Sequence, residues 1–87
     1  MDAKSIEIEK KTAEITTNLL EPLIEDVSGT EVEVTVTRSV IVINVTPAKA
    51  DVGKIIGKQG KNIEAVRTLL NAYANRFNYR CHVEVIE

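Results

Sequence analysis

Val52-Gly53-Lys54-Ile55-Ile56-Gly57-Lys58-Gln59-Gly60-Lys61-Asn62-Ile63 sets two glycines three apart, between apolar residues and among three lysines. Glycine admits positive φ and lacks the Cβ that would hold a ligand's backbone away. The stretch reads as a backbone clamp for phosphates, with Lys54, Lys58 and Lys61 supplying positive charge beside it. Whether that reading decides the fold depends on what the chain builds on either side.

Downstream, Ile63, Val66, Leu70, Tyr73, Ala74 and Phe77 recur at helical spacing and make one apolar stripe, and Asn78 is a natural stop. Upstream, Thr46-Pro47 reads as a helix entry, because threonine caps and proline is tolerated in the first turn. A short helix to about Ile56 follows, ended by Gly57 in a left-handed conformation, and Gly60 admits the chain to the longer one. The clamp therefore lies in a joint between two helices.

Further out the period changes to two. Residues 31–37 place Val32, Val34 and Val36 on one face, and 80–86 place Cys81, Val83 and Val85 opposite Arg80, His82 and Glu84. Residues 40–45 are apolar on both faces for most of their length, which suits a central strand. The short link after residue 37 predicts an antiparallel hairpin. The two-helix crossover predicts a parallel pairing of the second strand with the third, right-handed, giving sheet order first, second, third. The sheet face away from the helices keeps either Val40 and Val42 or Ile41 and Ile43, and is expected to pack on a second subunit.

The N-terminal segment, from about Ser5 to Asp26, carries Ile8, Ile15, Leu19, Leu20, Leu23, Ile24 and Val27 at spacings that suit a helix. Pro22 should kink or end it near Glu21. Its expected task is to cover one face of the sheet. The expected class is α+β, in the order helix-strand-strand-helix-helix-strand.

With 87 residues, 44% of them hydrophobic, the chain suits one compact domain over residues 1–87. Aromatic content is low, so a fold that reads RNA with a row of surface aromatics is disfavoured. No apolar run approaches the roughly 20 residues of a membrane span, and the start lacks a secretory signal, so a soluble cytoplasmic protein is expected. A lone cysteine agrees with a reducing compartment. The net charge of −2 hides an uneven placement: Lys49, Lys54, Lys58, Lys61 and Arg67 cluster around the glycines, while the first third of the chain is acidic. Local field, rather than net charge, decides where a polyanion lands.

Ile55-Ile56-Gly57-Lys58-Gln59-Gly60-Lys61-Asn62-Ile63 resembles the KH-domain signature, and the order of elements is that of the type II KH fold. The likeness runs from Ala13 onward and is nearest to small single-domain bacterial KH proteins of the KhpA type. Leu70-Asn71-Ala72-Tyr73-Ala74-Asn75-Arg76 is also similar to the KH module of Jag-type proteins. Residues 1–12 fall outside the likeness and are expected as a loosely ordered extension. The resemblance implies that Gly57, Lys58, Gln59 and Gly60 clamp the backbone of single-stranded RNA. It implies further contacts from Gly53, Lys54, Lys61 and Arg67, in a groove lined by Val52, Ile55 or Ile56, Ile63 and the edge of the last strand. An RNA chaperone or regulator follows, acting alone, as a homodimer or with a second KH protein.

Enzyme readings fail on inventory. Gly53 and Gly57 stand too close for a Walker loop, and Gln59 replaces the Ser or Thr that should follow Lys58. Cys81 and His82 are neighbours on a strand, so they point to opposite faces and make no nucleophile and base pair. No catalytic residue, cofactor, metal or small-molecule substrate is expected. The alternative is a KH-fold interaction or dimerisation module with negligible nucleic-acid binding, and the neutral-to-basic tip Lys58-Gln59 weighs against it.

Overall fold

The computed structural model describes residues 2–87. Helix α1 spans Ala3–Leu20, strand β1 Glu31–Val36, strand β2 Val40–Thr46, helix α2 Val52–Ile56, helix α3 Lys61–Asn75 and strand β3 Arg80–Val85, with 3-10 turns at Glu21–Leu23, Lys49–Asp51 and Lys58–Gly60. The sheet runs β1-β2-β3, with β1 antiparallel and β3 parallel to β2. This is the type II KH topology the sequence predicts.

Helix α1 takes in residues 3–12, which the sequence reading sets aside as a loose extension. Two causes are visible. The Asp2 carboxylate accepts the Ser5 N–H at 2.8 Å and caps the first turn, and Ile8 and Thr12 are buried. Thr12 also donates to the Tyr73 hydroxyl at 3.2 Å, which joins α1 to α3. At its other end α1 stops at Leu20 with Glu21 as its cap, as Pro22 predicts, and the chain turns into a 3-10 segment. The second helix also starts later than predicted. Thr46 remains in β2 opposite Glu31, and the chain passes through extended Ala48 and a 3-10 turn before α2 begins at Val52.

Strand β2 carries the core. Ile41, Ile43 and Val45 are fully buried beneath the helices and meet Ile55, Ile63, Val66, Leu70 and Ala74, with Cys81 and Val83 from β3. Burial pushes the Cys81 thiol up to about 11, which leaves it an inert packing group. Facing away, half-buried Val40 and Val42 stand beside Arg80, Thr35 and His82, in rows that continue to Glu33, Asn44 and Glu84. Two valines among polar neighbours give a second subunit little apolar area on this face.

The C-terminal stop of α3 forms as the sequence implies. Asn78 adopts φ 63°, and the Tyr79 N–H returns to the Ala74 carbonyl at 3.0 Å. The chain then enters β3, whose parallel pairing brings its edge alongside α3.

Candidate nucleic-acid interface

The joint between α2 and α3 contains three departures from right-handed backbone within four residues. Gly57 has φ 77° and ψ 171°, Gln59 has φ 59°, and Gly60 has φ 75° and ψ 14°. The glycine positions follow from the sequence, whereas the left-handed Gln59 does not. Its side chain and that of Lys58 form the exposed tip. Among the described residues the Lys58 and Gln59 N–H groups meet no acceptor, while Gly57 and Gly60 donate to Gly53 and Gly57 at 2.8 and 3.1 Å. Two free donors and two side chains thus sit at the start of α3, where the helix dipole favours an anion.

The two glycines differ in what they make room for. A Cβ on Gly57 would lie 2.5 Å from Asn62 Cγ, whereas one on Gly60 would meet nothing within 4 Å. Asn62 is held there because its Nδ2 donates to the Lys54 carbonyl at 2.8 Å, lashing the start of α3 to α2. The space opened by Gly57 is filled by the protein; only the space beside Gly60 is open to a ligand. Gly53, on α2, likewise has open space where its Cβ would be.

Of the apolar residues assigned to the groove, Ile55 and Ile63 are buried in the core, and half-buried Val52 and Ile56 reach the surface. Lys58 and Lys61 are exposed, and among the described residues neither is within ion-pair distance of a carboxylate. Lys54 is different. Its Nζ lies 3.3 Å from Glu25 Oε1 and 3.4 Å from Asp51 Oδ1, and these partners, Glu25 first, raise its pKa. Asp51 is buried, with 1% of its surface exposed, yet stays ionised below the usual carboxylate range. The Asp26 N–H, at 2.9 Å, is the main cause, opposed by desolvation and helped by the Glu25 N–H and Lys54.

Arg67 is also engaged. Its Nε and Nη2 donate to the Val83 carbonyl at 3.3 and 3.1 Å, and Nη1 lies 3.4 Å from Glu64. One turn on, the Asn71 side chain accepts the Cys81 N–H at 3.2 Å and donates to the Arg67 carbonyl at 3.0 Å. Even-numbered residues of β3 bond to β2, so the main-chain N–H and C=O groups of Cys81 and Val83 face the free edge while their side chains stay in the core. Side chains of α3 thus already occupy two main-chain groups there. The sequence reading assigned no site role to Asp51, Asn62 or Asn71.

The matching model of known families is that of the KhpA/KhpB KH domain, over residues 4–85. The chain belongs to this family. Among curated relatives it is similar to the RNA-binding protein KhpA of Caldanaerobacter subterraneus, 34% identical over 73 residues that cover 84% of this chain and 97% of that protein. With KhpA of Chlamydia trachomatis the identity is 49% over 47 residues, 54% of this chain, and the match spans 60% of the relative's length. KhpA of Treponema pallidum is 42% identical over 59 residues, 63% of this chain and 74% of its own. A solved structure of Aquifex aeolicus Era bound to GDP and aluminium fluoride shares the fold, with TM-score 0.66 and 15% identity over 91% of this chain and 32% of Era. The family match and the order and pairing of the elements agree on the type II KH frame.

Proposed function

We propose that the chain binds single-stranded RNA without catalysis, gripping the phosphate backbone at Gly57-Lys58-Gln59-Gly60, as an RNA chaperone or regulator. The observation that carries the reading is the tip. Two unpaired N–H groups, an exposed lysine and an uncovered Gly60 converge at a helix N-terminus. KhpA relatives named as RNA-binding proteins support the same ligand. Lys61 adds an exposed cation on the first residue of α3, and Val52, Gly53 and Ile56 offer a surface for bases. Among the described residues no helix is long and apolar enough to cross a membrane, and no group of three or more acidic, His or Cys residues could hold a metal.

Replacing Lys58 and Gln59 together by Asp tests the clamp. Affinity for a single-stranded oligoribonucleotide should fall at least about tenfold while the circular dichroism spectrum is kept. Binding by the unsubstituted chain should weaken with salt at a logarithmic slope of about −0.7 per phosphate neutralised. An unaltered affinity in the folded double variant would falsify the clamp, and salt-insensitive association would favour a protein partner.

A second reading, pairing with another copy of the chain or with a related KH protein, is favoured by helix α1. Lys4, Glu7, Lys10, Lys11 and Glu14 all line a groove of about 490 Å³ that is also bordered by Ile8, Tyr73 and Phe77. Two α1 helices laid antiparallel about a two-fold axis would set Lys4 against Glu14 and Glu7 against Lys11. Reversing Lys4 and Lys11 to Glu, or Glu7 and Glu14 to Lys, should leave each variant monomeric in sedimentation, and mixing them should restore dimers. Failure of the mixture to associate rules out this surface.

A further inference from the structure

We infer that Glu25 is a built-in competitor for the RNA phosphate at Lys54, holding that ammonium in a latch which the ligand must open. The inference rests on the RNA-binding reading above and concerns how the same site is regulated.

The latch is built by backbone, which makes the position of Glu25 specific. Both oxygens of Asp51 accept main-chain N–H groups, from Glu25 at 3.2 and 3.3 Å and from Asp26 at 2.9 Å. The Asp26 side chain in turn accepts the Gly29 N–H at 2.9 Å and the Ser28 hydroxyl at 3.1 Å, which closes the turn leading to β1. Residue 25 is therefore pinned against α2, and its carboxylate reaches Lys54 Nζ at 3.3 Å.

The two anions on Lys54 are not equivalent. Asp51 is buried and cannot leave without stranding a charge, whereas the Glu25 side chain is 83% exposed. An ammonium has three donors and can keep Asp51 while exchanging Glu25 for a phosphate oxygen. The displaced carboxylate returns to water at little cost, because an exposed pair of this kind is weak. Lys58 and Lys61 face no such competition among the described residues. Lys54 is thus a conditional contact, and Glu25 sets the condition.

A double-mutant cycle on Glu25→Gln and Lys54→Gln, read as affinity for a uridine oligoribonucleotide, separates this latch from a general field effect. Glu25→Gln should raise affinity about two- to fivefold when Lys54 is present. In the Lys54→Gln background the gain should largely vanish. An equal gain in both backgrounds, or none with Lys54 present, overturns the inference while leaving the clamp intact. If the unsubstituted chain binds no oligonucleotide, the RNA-binding reading falls and the inference falls with it. Neither substitution removes the Asp51 bonds to the backbone of residues 25 and 26; Glu25→Gln should keep its thermal midpoint within a few degrees, whereas Lys54→Gln takes the cation from buried Asp51 and should lower it, so circular dichroism at the assay temperature checks that this background is folded.

Discussion

The α2 half and the α3 half of the glycine joint each combine glycine with lysine, and they have opposite character. On the α2 side, Gly57 is packed against Asn62, its N–H is spent on Gly53, and Lys54 is tied to Glu25 and Asp51. On the α3 side, Gly60 borders open space, and Lys58, Gln59 and Lys61 are exposed. One half is frame and the other is contact surface. A glycine in a ligand loop can thus be required by the protein's own packing as much as by the ligand.

Alanine at the two glycines should break this symmetry most visibly. Gly57 lies in a backbone region open almost only to glycine, and an added methyl would strike Asn62, so Gly57→Ala should cost about 3 kcal/mol or more of stability. Gly60→Ala meets only the left-handed penalty, about 1 kcal/mol. Urea unfolding measures both. Equal costs would show that Asn62 yields freely and that the α2 half is not a rigid frame.

Much of this frame was legible from residue order. The period-two runs located β1, β2 and β3, the two-sided apolarity of residues 40–45 placed β2 in the centre, and the stripe from Ile63 to Phe77 identified α3. Less was legible where side chains bond to distant main chain. Asp51 reads as one more surface carboxylate before a helix, because the backbone donors it accepts are 25 and 26 residues away and no side-chain identity encodes them. Arg67 was visible as one of a cluster of cations, while its bond to the Val83 carbonyl depends on β3 lying alongside α3. Gln59 carries no sign of positive φ in its side chain, and its φ of 59° is a property of the turn as a whole.

The Asp51 latch gives the frame a pH signature. Its folded pKa lies below the ordinary value of 3.8, so ionised Asp51 favours the folded state above that value. The contribution should fade as pH falls from about 4 through the folded pKa. Asp51→Asn should therefore be less stable than the unsubstituted chain at neutral pH, and the two unfolding curves should converge in acid. Lys54 acts at the opposite end: with its pKa raised above 10.5, its contribution is complete below that value and is lost as pH rises through the folded pKa. A constant gap between the Asp51→Asn and unsubstituted chains across the acid range would show that geometry, rather than ionisation, holds the turn.

Gly53 gives the smallest effect and the sharpest separation of frame from surface. It sits inside α2, its carbonyl accepts the Gly57 N–H, and it has nothing within 4 Å of where a Cβ would stand. No neighbour requires a glycine there, and its φ is not positive. Within a helix glycine is the weaker choice, so Gly53→Ala should raise stability by roughly 0.5–1 kcal/mol. If a base packs on the bare backbone between Val52 and Ile56, the same methyl should lower RNA affinity by about two- to tenfold. Stability and binding then move in opposite directions. Should both rise together, the bare surface of α2 is not part of the contact, and RNA recognition retreats to the α3 half of the joint, where Gly60 and the tip stand open.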